Sequence, residues 1–314
     1  MLWSRRTMRL TPRLTLFLTL PPLLWAGNAV LGRHVMGSIS PVLFNGLRWL
    51  LAFALLVPLA RTLWAAPQHL RAHWRYYAVL GLLGMGSYNA LLYVAVRTSG
   101  ALNVTLIASS MPAWMLAVGA LIYGVRPRPR DLLGALLSLI GVALVIGQGS
   151  WARLMAVHFV IGDLLMLLAI VLWSVYSWML AKPPFEQKPN WDWAGVLMAQ
   201  TLFGMPWAML FAGLESAAGY GNMTWNLGVM ASLAYVAIGA SLLAYRCWGL
   251  GVAEAGPAMA AIFFNLTPLF TAVLSASLLG EWPKAYHGAA FVLIVAGIVV
   301  SAASSAARSS AKPA

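Results

Sequence analysis

Apolar runs of about twenty residues recur along nearly the whole chain, and each is long enough to cross the hydrocarbon core of a bilayer as an α-helix. Only 9% of the 314 residues are charged, against about 25% in a soluble domain, which leaves too few charges to cover a water-facing surface. The period-two alternation of a membrane β-barrel is absent from the sequence. These features predict an all-α integral membrane protein embedded in the lipid bilayer.

Ten transmembrane helices are expected from the positions of the apolar runs. Their predicted bounds are 14–33, 40–60, 76–97, 101–124, 131–148, 160–180, 194–214, 225–249, 255–280 and 286–304. Of the 20 basic residues, 14 then lie on the side of the N-terminus and four on the other, with Arg48 and Arg246 inside spans. Because basic residues concentrate in cytoplasmic loops, both termini are predicted to be cytoplasmic. The net charge of +13 is explained by these basic loops, which set the orientation of the helices, so no nucleic-acid partner is expected.

The second half of the sequence repeats the first. At an offset of 156 residues the third to fifth predicted helices match the eighth to tenth without a gap, and at an offset of 148 Trp25 meets Trp173. The matched pairs at the larger offset are Gly100 and Gly256, Pro112 and Pro268, Gly124 and Gly280, Pro127 and Pro283, and Gly141 and Gly297. The predicted domains are therefore one five-helix repeat over 1–150, a second over 151–304, and a disordered cytoplasmic tail over 305–314.

The two repeats are predicted to have opposite orientations in the membrane. Five helices per repeat is an odd number, so the second copy must enter the bilayer from the other side. The charges of one turn favour this arrangement. Residues 124–130 hold three arginines and fall on the predicted cytoplasmic side, whereas their counterpart, 280–286, holds one acid and one base and falls outside.

Two prolines interrupt apolar spans at equivalent places. Pro112 and Pro268 lie near the centres of the fourth and ninth predicted helices, where each frees the carbonyl four residues earlier, at Ala108 and Phe264. Broken helices at matching positions of inverted repeats indicate a transport site near the middle of the membrane. The alternative is a pair of kinks that serve helix packing alone.

Polar and aromatic side chains are expected near the middle of several spans. Singly, each can be explained as a hydrogen-bonding contact between helices, but as a set they predict a polar, aromatic-walled cavity for a small-molecule substrate. The candidates are Trp25, Asn28, Arg48, Tyr88, Asn89, Trp114, Trp173, Tyr176, Ser177, Tyr245 and Asn265.

Arg48 is the one candidate with a full charge inside a span, which by default suggests a functional site. It could bind a substrate carboxylate or brace the carbonyls of a helix end, and the sequence leaves both readings open. All seven acids fall in loops or near helix ends, with Asp131, Asp163 and Glu254 expected at helix starts. A proton relay of buried carboxylates is therefore not expected, which favours facilitated transport or coupling by another route.

Catalytic chemistry has no counterpart in the sequence. There is no H-E-x-x-H, no G-x-S-x-G, no phosphate-binding loop and no metal-ligand cluster, and the loops between spans are too short for a catalytic domain. The chain is therefore predicted not to be an enzyme and to need no cofactor or metal.

Several segments resemble the drug/metabolite transporter superfamily in its EamA-type branch. They are "WAGNAV" in the first span, "FNGLRWLLAF" in the second, "GDLLMLLAIVLWSVYS" in the sixth and "LLGEWP" after the ninth. The resemblance covers residues 20 to 304 and implies ten helices, an inner-membrane location and export of amino acids or other small metabolites. It also implies that Trp25, Tyr88, Trp114 and Trp173 wall the cavity. One departure is Gly124–Val125, where the family often has Gly-Glu.

The sequence as a whole predicts a permease that exports small amphipathic metabolites, amino acids or related solutes, by alternating access through a central cavity. The alternatives are a membrane-embedded enzyme and a non-transporting sensor or assembly subunit. The oligomeric state is left open, and a monomer is compatible with the pattern.

Overall fold

The computed structural model describes residues 10–306, except for Met36, Gly100, Val157, Phe159, Gly280, Glu281 and Pro283. Three pairs of the predicted repeat therefore have one member outside the described residues: Gly100 with Gly256, Gly124 with Gly280, and Pro127 with Pro283. The predicted disordered tail also lies outside them from residue 307 onward, and its first two residues end a helix.

The described chain is helical throughout. Its α-helices are α1 Pro12–Val35, α2 Pro41–Leu59, α3 Arg61–Ala65, α4 Gln68–Ala72, α5 Trp74–Gly81, α6 Tyr88–Thr98, α7 Ala101–Ser109, α8 Met111–Leu121, α9 Pro129–Ile146, α10 Trp151–Met155, α11 Ile161–Ala181, α12 Trp193–Ala217, α13 Leu227–Tyr235, α14 Ala244–Ala255, α15 Pro257–Phe264, α16 Thr267–Leu279 and α17 Ala285–Ala306. Two π-helices, π1 Leu82–Ser87 and π2 Val236–Leu243, join α5 to α6 and α13 to α14. No strand forms among these residues, although an isolated bridge pairs Ile39 with Met223.

Within the described ranges, eight helical stretches are long and apolar enough to cross a membrane, and α7 with α8 makes a ninth when this bent pair is taken as one span. The chain is thus a multi-pass membrane protein. The predicted span 76–97 coincides with the continuous helical run of α5, π1 and α6, which is not among those nine. Ten membrane crossings stay a prediction.

Both interrupted spans break just before their proline. The α7–α8 pair bends by 45° at Ser110, and Pro112 is the second residue of α8. In the later span, α15 ends at Phe264 and Pro268 is the second residue of α16. A proline is tolerated in the first turn of a helix, where its missing N–H has no partner to lose, so each proline begins a new helix.

The π-helices also occur at corresponding places. Shifted by 156 residues, π1 falls on 238–243, which lies inside π2. In each, a serine hydroxyl donates to the carbonyl five residues earlier, from Ser87 to Leu82 and from Ser241 to Val236, both at 2.9 Å. Short π segments inside α-helices are frequent at functional sites.

Helices of one predicted repeat pack against helices of the other in corresponding pairs. The last spans of the two predicted repeats, α9 and α17, pack closely, as do the two second spans, α2 and α12. A methyl group added at Gly297 of α17 would lie 2.6 Å from the carbonyl oxygen of Gly134 in α9, so the two backbones approach as only glycine allows. Likewise α6 packs on α11, and α14 packs on α1.

Acidic residues begin two helices as expected. A carboxylate oxygen of Asp131 accepts from the backbone N–H of Arg128, and one of Asp163 accepts from that of Val160. The expectation for Glu254 was wrong, because this residue lies in the last turn of α14. There its carboxylate forms an exposed ion pair with Arg13 at 3.7 Å.

Candidate functional site

A cavity of about 890 Å³ lies inside the helical bundle and is lined by residues from both halves of the sequence. The lining side chains come from helices of both halves, among them α1, α6, α11 and α16, so the cavity exists only when both halves are folded. Of the residues predicted from the sequence, those that line it are Trp25, Asn28, Arg48, Tyr88, Asn89, Trp173, Tyr245, Asn265 and Pro268.

Four predicted residues lie away from the cavity wall. Tyr176 and Ser177 are buried on another face of α11, where the Tyr176 hydroxyl donates to Gln200 at 3.0 Å and Ser177 accepts from the indole of Trp248 at 3.2 Å. Trp114 packs against the hydrophobic core, and Pro112 is buried beside it in α8. These side chains have the right depth in their spans but face neighbouring helices.

Three aromatic residues of the cavity wall pack together with a fourth behind them and form an aromatic cluster. Its members are Trp25 of α1, Trp173 of α11, and Tyr245 and Trp248 of α14. The ring centroid of Trp25 lies 5.6 Å from that of Trp173, 6.2 Å from that of Tyr245 and 5.5 Å from that of Trp248. The first two pairs pack edge to face and the third is tilted, and edge-to-face packing stabilises aromatic pairs beyond the area they bury.

Two side chains of the aromatic cluster are anchored to the π-helices. The indole N–H of Trp25 donates to the carbonyl oxygen of Ala240 in π2 at 3.0 Å. The hydroxyl of Tyr245 donates to the carbonyl oxygen of Gly84 in π1 at 2.6 Å. Gly84 and Ala240 are 156 residues apart, so the two anchoring carbonyls are equivalent in the predicted repeat. The π-helices thus hold the aromatic cluster from both halves of the chain.

The two helix breaks meet at the side of the cavity. The side-chain amide of Asn265, between α15 and α16, donates to the carbonyl oxygen of Ser109 at 3.2 Å and to the hydroxyl of Ser138 at 3.0 Å. At the later break, the hydroxyl of Thr267 donates to the carbonyl of Phe264 at 2.6 Å. Side chains therefore satisfy carbonyls that the interrupted helices leave without a backbone partner.

The cavity reaches the surface of the protein. Trp282, which is 80% exposed, lines this mouth together with Gln148, Lys284, Tyr286 and His287. Sequence reasoning missed these residues because it assigned them to loops and span ends. The available signal was polar side chains that follow the fifth and ninth spans on one predicted side of the membrane.

The charges on the cavity wall are basic. Arg48, Lys284 and His287 line it, and none of the lining residues within the described part of the chain is Asp or Glu. No group of three His, Cys, Asp or Glu side chains among those residues could hold a metal ion. The arrangement can enclose and orient an organic solute through aromatic faces, amides and a guanidinium.

Comparisons with known proteins agree with a transport role. The sequence profile described as the EamA-like transporter family matches residues 13–147 and 160–303. An uncharacterized transporter of Archaeoglobus fulgidus is 28% identical over 92% of this chain and 96% of its own length. The aromatic amino acid exporter YddG of Ancylobacter novellus is 25% identical over 89% of this chain and 93% of its own length.

The fold also has a counterpart among solved structures. A crystal structure of a protein described without a function superposes with a TM-score of 0.76, at 22% identity, over 95% of this chain and 99% of that one. At this identity the likeness concerns the fold alone.

The family match covers nearly all of the chain, and the relatives carry the name of transporters rather than enzymes. The chain belongs to the EamA-like transporter family, as a multi-pass membrane transporter of small molecules and not an enzyme.

Proposed function

We propose that this chain exports small amphipathic metabolites, amino acids or close relatives of them, by alternating access through the 890 Å³ cavity. The observation that carries the proposal is the shape of that cavity. It reaches the surface at the mouth near the exposed Trp282, and the proposal takes the packed rings of the aromatic cluster as its closed end. A route that is open at one end and blocked by side chains at the other is what one state of an alternating carrier requires.

The proposal includes two inverted repeats of five helices. Pairs of residues equivalent in the repeat touch each other, Trp25 with Trp173 and Ser109 with Asn265. Contact between equivalent residues is expected where a pseudo-two-fold axis passes between them. The family profile also matches twice, once in each half. Exchange of conformation between two such repeats would close the mouth and open the opposite end of the same cavity.

The mouth is proposed to face the outside of the cell, with both termini in the cytoplasm of an inner-membrane protein. Gln148 and Lys284 at the mouth belong to loops on the predicted outer side. The three arginines of residues 124–130 lie at the opposite ends of their helices, where basic residues favour the cytoplasm. The structure then corresponds to an outward-facing state with the aromatic cluster as the inner gate.

The substrate class follows from the size and chemistry of the wall. The cavity falls within the range of about 300–1,000 Å³ that small-molecule sites occupy. Aromatic rings of Trp25, Tyr88 and Trp173 offer apolar contact, and the amides of Asn89 and Asn265 offer hydrogen bonds. The YddG relative exports aromatic amino acids, which supports solutes with an apolar body and a polar end.

A sensor or assembly subunit is the remaining rival. Such a protein would need neither a mouth at the surface nor a gate opposite to it. The size of the cavity and its polar side chains therefore favour transport over this alternative.

Efflux from proteoliposomes tests the proposal. Vesicles that contain the purified full-length chain are loaded with a mixture of amino acids and small metabolites, and the solutes released are identified by mass spectrometry. The variant Thr271→Trp places a bulky ring in the cavity, because Thr271 lines it. Val273→Trp on the same helix is the control, because Val273 is 58% exposed at the surface of the helical bundle. We expect Thr271→Trp to stop efflux and Val273→Trp to retain it. Release no faster than from protein-free vesicles would favour the sensor.

A further inference from the structure

Arg48 is a buried cation in the cavity wall. Its side chain is 3% exposed, and its Nε atom has no hydrogen-bond partner among the described residues. Burying a charge without a partner is costly, so a buried guanidinium is normally paired with an acid or held by several acceptors. Neither is present here within the described part of the chain, where the only ion pair joins Arg13 to Glu254.

A role in bracing helix ends does not account for this side chain. A guanidinium has five N–H donors, and bracing would show them bonded to backbone carbonyls. No such bond joins Arg48 to another described residue. Its described cation–π contact is with the ring of Trp49, whose centroid lies 5.2 Å from the guanidinium carbon. A ring face attracts the cation but accepts none of the in-plane N–H groups in the way that an oxyanion does.

Two other buried polar groups of the cavity wall also lack a hydrogen-bond partner among the described residues. The indole Nε1 of Trp173 is a second buried donor without a described partner, and the Oδ1 atom of Asn265 is an acceptor without one. Both residues line the same cavity as Arg48. The wall therefore offers an incoming solute two donors, one of them charged, and one acceptor.

The charge of the cavity favours anions over cations. Arg48 and Lys284 line it, and the described lining residues include no acid that could bind an ammonium group. Charges of one sign on a low-dielectric wall raise the local concentration of solutes of the opposite sign. Arginine, unlike lysine, binds a planar carboxylate through two parallel hydrogen bonds.

We propose that Arg48 is the binding site for a carboxylate, so that the transporter selects monocarboxylate solutes with an apolar body and rejects amines that lack the acid. This inference rests on the proposed transport function for its physiological meaning, but the binding event can be measured separately. A charge-assisted hydrogen bond of the usual strength corresponds to roughly ten- to hundredfold in affinity.

Binding of three matched probes tests the inference. The probes are 3-phenylpropanoate, 3-phenylpropanamide and 3-phenylpropylamine, which share one body and differ only in the polar end. Their dissociation constants are measured by isothermal titration on the detergent-solubilised full chain. We expect the acid to bind at least tenfold more tightly than the amide and the amine to bind more weakly than either. Equal affinities for acid and amide, or no binding of any probe, would overturn the inference.

Variants assign the preference to Arg48. In Arg48→Gln the acid-to-amide ratio should fall to about one, and Arg48→Lys should retain part of it. Arg246→Gln is the control, because Arg246 is exposed and lies over the ring of Trp193, 4.7 Å away. An unchanged ratio in Arg48→Gln would overturn the assignment. If Arg48→Gln is not monodisperse on gel filtration, the wild-type comparison and Arg48→Lys decide.

Two further results separate this inference from the proposed function. Efflux of neutral or cationic solutes in preference to carboxylates would leave the exporter in place and overturn the carboxylate site. Acid binding that depends on Arg48, without efflux of any solute, would support the site and overturn the exporter. Tighter binding of 2-phenylethylphosphonate than of 3-phenylpropanoate would show a general oxyanion site, which contradicts selection of carboxylates.

Discussion

The side-chain amide of Asn265 donates a hydrogen bond of 3.2 Å to the backbone carbonyl oxygen of Ser109, which is 156 residues earlier in the chain. Each residue lies at a helix break, Ser109 at the end of α7 and Asn265 after the end of α15. One bond therefore joins the two interruptions that carry the proposed transport site. Because the proposed alternating access would move both elements, we expect loss of this bond to affect both stability and transport.

We expect Asn265→Leu to lower the free energy of unfolding by about 1–3 kcal/mol, because it leaves the Ser109 carbonyl without its buried donor. The hydroxyl of Ser138 loses the donor of Asn265 as well, and keeps only its own bond to the Ala135 carbonyl. Thermal unfolding of the detergent-solubilised protein measures the change. Thr271→Val is the control, since the Thr271 hydroxyl only repeats a backbone contact within α16, to the Thr267 carbonyl. Equal melting temperatures for the two variants would contradict the role of this bond.

Close packing of the final spans of the two repeats gives a second prediction. We expect Gly297→Ala to destabilise the fold by about 1–3 kcal/mol, because the added methyl group meets the Gly134 carbonyl of α9 and the backbones must separate. Gly288→Ala in the same helix is the matched control, since no atom lies within 4 Å of its added methyl group. The melting temperatures should differ by several degrees. A Gly297→Ala protein as stable as Gly288→Ala would show that α9 and α17 do not approach as described.

Asp163 is a buried acid in the first turn of α11, and we expect it to stabilise the fold rather than to carry protons. Asp163 is 2% exposed and accepts hydrogen bonds from Ser99, from the Asn103 amide at 3.0 Å and from the Val160 N–H at 2.7 Å. We expect Asp163→Asn to lower stability by about 1–3 kcal/mol and to leave efflux independent of an imposed pH gradient.

Glu254→Gln is the control for that variant, because its ion pair with Arg13 is exposed and contributes little to stability. Efflux in proteoliposomes with and without a pH gradient measures the coupling. Strict proton antiport that disappears when either acid is neutralised would contradict the account.

The apolar runs and the prolines were sufficient to predict the helical class and the places where two spans are interrupted. The breaks fall at Ser110 and after Phe264, a few residues before Pro112 and Pro268, because a proline fits the first turn of a helix and disfavours the helical conformation of the residue before it. The π-helices could not be predicted, since their sequences are as apolar as the α-helices that flank them.

The sequence located candidate site residues by depth in a span but not by direction. Trp173 and Tyr176 are less than one turn apart in α11, yet Trp173 lines the cavity and Tyr176 bonds to Gln200 on another helix. Which face of a helix meets the cavity depends on its rotation within the bundle, and that rotation is set by packing between distant segments. The mouth residues were missed because polar span ends resemble ordinary loops.

The central claim is that the cavity is a water-filled route that opens alternately to the two sides of the membrane. Labelling of a single cysteine at Tyr88, in a Cys247→Ala background, with a membrane-impermeant thiol reagent tests it most directly. Tyr88 lines the cavity beside Trp173, with ring centroids 5.2 Å apart, and Cys247 is the one native cysteine. We predict labelling from the outer side in right-side-out vesicles and also from the cytoplasmic side in inverted vesicles. Absence of labelling in either one of the two preparations would contradict the account.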